Sequence, residues 1–305
     1  MIDQNTRILV LGCGGMLGEA IHETFKDRVR LMATDIDVHE PWLSALDIRD
    51  REGLNRVVAE FRPQIVINLA ALVDLEYCER HPHEAYATNA VGTENSALIA
   101  AREDLTYVYI STAGIFDGKQ DIYNDYDLPV PLSVYGKSKY AGELFVQQAV
   151  KKHYVFRAGW MMGGGPRKDK KFVNKIVQQL KTGKQTLNVV EDKLGTPTYT
   201  FDFAATMLEV LGSEQYGLYN MVSDGQCSRH EVATEIVRHF GLLNDIHVNS
   251  VDSSFWQAEY FAPRPASEQL VNLKLNLKGL NRMRHWKESL EAYLSSHDWQ
   301  VPRPS

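Results

Sequence analysis

The first half of the chain alternates two hydrophobic patterns. Short continuous apolar runs at Arg7 to Leu11, Val29 to Thr34, Gln64 to Leu69 and Leu105 to Ser111 predict strands buried on both faces. Between them, apolar positions recur at helical spacing. Leu17, Ile21 and Phe25 mark one helix, Arg51 to Phe61 another behind a capping Asp50, Pro82 to Arg102 one long helix, and Ser133 to Lys151 a fourth. Strands alternating with helices predict a parallel sheet covered on both faces, an α/β fold of the Rossmann-type doubly wound class, over residues 1–157. After Arg157 the texture changes. Gly163-Gly-Gly-Pro166 signals a loop, the basic residues Arg167, Lys168, Lys170 and Lys171 follow, and Ser228 to Glu231 forms a capping box opening a helix to Phe240. Shorter elements are expected at 217–222, 245–251 and 286–294. Residues 158–305 are therefore expected to form mainly a smaller C-terminal substrate-binding lobe, with segments near 187–212 able to return to the sheet domain.

Composition narrows the function classes. The 305 residues suit about two domains, and 44% hydrophobic with 24% charged residues exclude a disordered or low-complexity chain. No apolar run approaches the ~20 residues that span a bilayer, and the N-terminus lacks a basic region followed by an apolar one, so neither membrane nor signal peptide is expected. Cys13, Cys78 and Cys227 are odd in number and widely spaced, which fits neither a disulfide framework nor a zinc site and points to a reducing cytoplasm. The net charge of −6 argues against a nucleic-acid partner. His81 and His83 flank Pro82 without a third ligand, so capping or surface placement is expected and no metal.

Gly12, Gly15 and Gly18 stand at G-x-x-G-x-x-G spacing between a strand and the helix that Met16 and Leu17 open. The chain there must turn tightly, admit a pyrophosphate to the backbone and pack the new helix on the strand, and a Cβ obstructs each. The helix N-terminus then offers unpaired N–H groups to the anion. Asp35, where the second strand ends, can accept hydrogen bonds from the adenosine ribose and repel a 2′-phosphate, unless it or the adjacent Asp37 is a solvated turn acid. Asp47, with Ile48, can meet the adenine or serve a loop or capping role. Tyr135 and Lys139, four apart on a helix, project from one face, where an ammonium can draw the phenol pKa toward the working range. Thr112, just past a strand end, can donate to a reacting carbonyl, and Ser111 is the alternative.

These motifs, with Asn68-Leu-Ala-Ala71, Thr88 to Thr93, Ile115-Phe-Asp-Gly118, Arg157-x-x-Trp160, Gly195-x-Pro-Thr-Tyr199 and Arg264-Pro265, resemble the extended short-chain dehydrogenases/reductases, and within them the dTDP-4-dehydrorhamnose reductases, over nearly the whole chain. The resemblance implies that Thr112, Tyr135 and Lys139 are catalytic, that Leu69, Ala70, Ala71 and Asn89 border the cofactor, and that Val73, Ala113, Gly114, Trp160 and Arg264 face a nucleotide-diphosphate sugar. Asn89 could equally be a helix hydrogen-bonding residue, and Trp160 core filling. The basic run at 167–171 could attract the diphosphate or be a solvated face. Two departures bear on the sugar. Val73 stands where the family usually has Thr nearby, and Ala113-Gly114 replaces the usual Asp-Tyr, leaving the sugar and the nucleotide base open. The absence of Asp-Glu after Thr112 argues against a sugar-nucleotide dehydratase. The expected activity is NAD(P)H-dependent reduction of a keto group on a nucleotide-diphospho-4-keto-6-deoxy sugar, with NAD(H) preferred and NADP(H) second. An NAD-dependent epimerase and a non-catalytic NAD(P)-binding regulatory subunit are the rivals, and a homodimer is the default assembly.

Overall fold

The computed structural model describes residues 2–302. In chain order it contains β1 (Arg7–Leu11), α1 (Met16–Phe25), β2 (Arg30–Asp35), β3 (Leu43–Ala45), α2 (Arg51–Phe61), β4 (Ile65–Asn68), α3 (Leu75–Arg80), α4 (Pro82–Tyr86), α5 (Thr93–Arg102), β5 (Thr106–Thr112), α6 (Val134–Ala149) and β6 (His153–Ala158). The second half follows with β7 (Trp160–Met162), α7 (Gly165–Lys168), α8 (Phe172–Lys181), β8 (Thr186–Val190), β9 (Leu194–Gly195), β10 (Pro197–Tyr199), α9 (Thr200–Gly212) and β11 (Gly217–Asn220). It closes with β12 (Cys227–Ser228), α10 (Arg229–His239), β13 (His247–Val251), α11 (Leu273–Leu277) and α12 (Trp286–Ser295).

The main sheet has seven strands in the order β11-β6-β5-β4-β1-β2-β3. All its pairings are parallel. This is the doubly wound Rossmann-type arrangement. The winding reverses between β1 and β4, so a crevice opens beyond their carboxyl ends, where ligands of such sheets bind. The apolar runs are central strands because both faces are covered. Ile8 and Val10 join the core under α1 and α9, while Leu9 and Leu11 join the opposite core with Leu54, Val58 and Tyr107.

Two elements differ from the sequence expectation. The single helix expected over Pro82–Arg102 is interrupted by a π-helical segment at Ala87–Gly92. The fully buried Asn89 turns inward there and hydrogen-bonds the backbone of Leu72, a tertiary contact that periodicity cannot show. Of the 187–212 stretch expected to return to the sheet domain, the C-terminal part does so, and the return continues past it. β8 stays in the second lobe, paired with β13, whereas α9 and β11 join the sheet domain. The cause is the apolar face Phe203, Ala204, Met207, Val210 and Leu211, which packs into the same core as Leu17, Ala20 and Ile21 of α1. The second lobe has its own core from α8, α10 and α12, with Ile176, Ile236 and Leu290 among its residues.

Candidate active site

The two lobes enclose a cleft of 1620 Å³. At its sheet end lies the glycine turn, and its three spaced glycines answer different demands. Gly12 has φ +73°, and a Cβ there would lie 2.5 Å from the Ala70 backbone. A Cβ at Gly18 would lie 2.0 Å from the Cys13 carbonyl oxygen. Both are required by the protein's own packing. Gly15 instead lines the cleft, and a Cβ on it would meet nothing within 4 Å. It caps α1 without a side-chain hydrogen bond, so the first amides of the helix stay available to an anion. This is the cradle a dinucleotide pyrophosphate requires. Met16, Leu17, Ile48, Leu69, Ala70 and Ala71 line the same cleft.

Asp35 reaches the rim from the end of β2. Its Oδ2 accepts the Gly14 N–H at 2.8 Å and its Oδ1 the Asp37 N–H at 3.1 Å, so the carboxylate braces the glycine turn as well as facing the cleft. Asp47 is engaged differently. Arg49 grips it, with Nη2 at 2.6 Å from Oδ2, and holds its carboxyl below the usual range.

Tyr135 and Lys139 sit one turn apart near the start of α6, which Ser133 caps by accepting the Gly136 N–H. At the end of β5 the Thr112 hydroxyl accepts the Gly114 N–H at 3.1 Å and sits close enough to the Tyr135 phenol to hold its pKa down. All three side chains line the cleft. Ser111 is spoken for: its hydroxyl donates to Glu143 at 2.5 Å, and Glu143 forms a buried ion pair with Arg157 at 2.6 Å. Lys139 is 3% exposed, its ammonium 4.1 Å from the centre of the Tyr109 ring. Burial brings its pKa down to about 7, against the opposing pull of Glu143. Burial also pushes the Tyr135 phenol up to about 12, assisted by the negative charge of Glu268 and resisted by the Thr112 hydroxyl. In this structure burial, not the Lys139 ammonium, sets the direction of the phenol's shift. The dry surroundings that bring the two groups together disfavour the charged form of each.

Asn89 does not line the cleft. Its Oδ1 accepts the Leu72 N–H at 2.8 Å, and its Nδ2 donates to the Leu72 carbonyl and to Ser138 Oγ at 3.0 Å each. It clamps the stretch after β4 to α6 rather than touching a ligand. On the far side, Val73, Ala113, Trp160 and Arg264 line the cleft. Gly114 stands behind them, where a Cβ would approach Glu268 Oε1 to 3.3 Å. Arg264 is paired with Glu76 at 2.7 Å. The basic run divides. Lys170 and Lys171 line the cleft, whereas Arg167 and Lys168 turn to Glu40, which draws them away. Sequence reading missed Arg229, Lys193 and Glu268, which line the cleft from separate elements. The Arg229 guanidinium lies 3.5 Å from the centre of the Trp160 ring. Its position directly after the N-cap Ser228 was a signal, because that end of α10 faces the cleft.

Comparison with known proteins adds a lineage to this geometry. The family described as RmlD substrate binding domain matches residues 6–298. The spore coat polysaccharide biosynthesis protein SpsK of Bacillus subtilis (strain 168) is 32% identical over 290 residues, covering 95% of this chain and 97% of that protein. A dTDP-4-dehydrorhamnose reductase structure from Clostridium acetobutylicum is 34% identical with a TM-score of 0.88, covering 95% of this chain and 99% of that one. The dTDP-4-dehydrorhamnose reductase of Bacillus anthracis str. Ames, solved in complex with NADP, is 28% identical with a TM-score of 0.88, covering 96% and 100% of the two chains.

Proposed function

The chain belongs to the RmlD substrate-binding-domain family, and from that premise we propose that it is an NAD(P)H-dependent oxidoreductase reducing a keto group on a nucleotide-linked 4-keto-6-deoxy sugar in deoxysugar biosynthesis. The observation that carries this reading is the convergence of Thr112, Tyr135 and Lys139 on the cleft that Gly15 leaves open to a dinucleotide. The bound dinucleotide supplies the hydride. Thr112 and Tyr135, which line the same part of the cleft, hold the carbonyl oxygen between their hydroxyls and polarise it. Tyr135 keeps its proton at neutral pH because burial raises its pKa, so it is loaded to deliver that proton to the oxygen. Lys139, one helical turn further on and lining the cleft, can hold a ribose hydroxyl. Lys170, Lys171, Lys193 and Arg229 give the opposite wall the positive charge a sugar nucleotide's diphosphate needs. In this reading the C-terminal lobe is the substrate-binding part.

The test is loss of reduced-nicotinamide absorbance across a panel of nucleotide-linked 4-keto-6-deoxy sugars. Stoichiometric consumption supports reduction. Turnover without net consumption selects the epimerase, and dinucleotide binding without turnover of any sugar selects the regulatory subunit. The same reading places the enzyme in the cytoplasm, which suits three buried free cysteines. No helix among the described residues is long and apolar enough to cross a membrane. Sedimentation of the purified chain reads the homodimer that the resemblance implies.

A further inference from the structure

The glycine at position 114 has a counterpart far along the chain. Glu268 follows the Arg264-Pro265 turn, and its backbone N–H donates to the Leu194 carbonyl at 2.9 Å, which ties it to β9. Its Oε2 accepts the Trp160 indole N–H at 2.7 Å. Trp160 is itself held in place. Gly195 leaves room for its ring, because a Cβ there would lie 2.3 Å from Cε2, and Arg229 stacks on it at 3.5 Å. The other carboxylate oxygen, Oε1, lies 3.3 Å from the point a Cβ at Gly114 would occupy, and Thr112 Oγ1 lies 3.4 Å from that same point. The carboxylate and the hydroxyl that polarises the carbonyl therefore converge on one small space, kept clear by the missing side chain at 114. Glu268, Thr112, Tyr135 and Trp160 all line the cleft.

We propose that Glu268 is a specificity-determining residue, its Oε1 accepting a hydrogen bond from a hydroxyl on the sugar carbon next to the carbonyl being reduced. The assignment rests on the reading of the site given above. Its chemistry follows from the partners. An indole N–H is only a donor, so it claims Oε2 and fixes which oxygen is left. An ionised carboxylate is only an acceptor, so Oε1 selects a substrate that offers a donor and rejects one that offers another acceptor or nothing. Gly114 matters because a Cβ there would crowd Oε1, at 3.3 Å, from behind the cleft lining. The polar groups absent at 113 and 114 are thus replaced from a different part of the chain.

The experiment compares wild type with Glu268→Gln on two substrates, the nucleotide-linked 4-keto-6-deoxy sugar and its analogue lacking the adjacent hydroxyl. In the variant the amide oxygen must face the indole N–H, which leaves the amide N–H groups toward the substrate hydroxyl, so the hydroxyl must turn to accept and the charge-assisted bond to Oε1 is lost. We expect kcat/KM on the hydroxylated sugar to fall about tenfold, with NADH affinity, read by fluorescence, unchanged. On the analogue, wild type has already lost most of that factor, and Glu268→Gln should lose less than about threefold more. A second variant, Gly114→Ala, crowds the same space without altering charge and should depress the hydroxylated sugar selectively. Equal losses on both substrates, or none, overturn the assignment while leaving the reductase reading intact. A wild type that turns over no nucleotide sugar overturns both.

Discussion

Tyr135 carries the sharpest residue-scale expectation. Tyr135→Phe removes the proton donor yet leaves the glycine turn and Lys139 untouched. Turnover should fall ~10²–10⁴-fold with NADH affinity nearly unchanged, as steady-state kinetics and fluorescence titration would show. Lys139 couples the site to stability. Its pKa is about 7 in the fold against an ordinary 10.5, so between those values the unfolded chain holds a proton that the folded chain lacks. Stability contributed by this group therefore rises with pH across that window, by at most about 1.4 kcal/mol per pH unit. Denaturation midpoints measured from neutral to alkaline pH should show a steeper rise for wild type than for Lys139→Met. Asp35 is the residue we propose to govern cofactor choice. No Arg or Lys occurs in residues 12–18 or 34–39, so a 2′-phosphate would meet an unneutralised carboxylate, and NADH should be used at least as well as NADPH. Asp35→Ala should move the kcat/KM ratio toward NADPH by about tenfold, equivalent to about 1.4 kcal/mol. A wild type favouring NADPH tenfold would remove Asp35 from this role.

At the scale of elements, the π-helical segment at 87–92 is what lets α4 and α5 run on while Asn89 faces inward. Asn89 satisfies both backbone groups of Leu72 and also reaches Ser138 on α6, so one side chain joins the stretch after β4 to the helix bearing Tyr135 and Lys139. Asn89→Ala takes the partner from the part-buried Leu72 N–H and one of two from its carbonyl, which Cys78 Sγ also approaches. It should cost about 1–3 kcal/mol, the penalty of one unpaired group, in urea unfolding. Because Leu72 and Val73 border the cleft, kcat/KM should fall as well, although Asn89 itself does not line it.

Across the whole molecule, the segment from Gly163 to Lys171 crosses between the lobes. Arg167 and Lys168 pair with Glu40, which follows β2, and Lys168 also lies 3.6 Å from Glu19 on α1. The Lys168 side chain is only 6% exposed, and these two carboxylates are its ion-pair partners. Glu40→Gln should lower the thermal midpoint and raise the KM for the dinucleotide, since the segment packs beside Met16 at the glycine turn. Adding Lys168→Met, which removes the orphaned ammonium, should recover part of the lost midpoint in calorimetry. Failure of the double variant to recover any of it would show that the pairing with Glu40 does not hold the lobes.

The sheet, its glycine turn and the meeting of Thr112, Tyr135 and Lys139 on one cleft were legible in the chain because each is encoded locally. Buried strands read as apolar runs, the turn as glycines at fixed spacing, and the acid–base pair as two residues one helical turn apart. Position along the sheet carried the rest of that inference, since ligands gather at strand ends. What depended on contacts between distant segments was not legible. The inward turn of Asn89, the bracing of Gly14 by Asp35, the diversion of Arg167 and Lys168 to Glu40, and the arrival of Glu268 beside Gly114 each join residues with no shared periodicity. The direction of the Tyr135 shift belongs with them. Charge proximity can be read from a Tyr-x-x-x-Lys spacing, but the burial that outweighs it exists only once α6 is packed against the sheet.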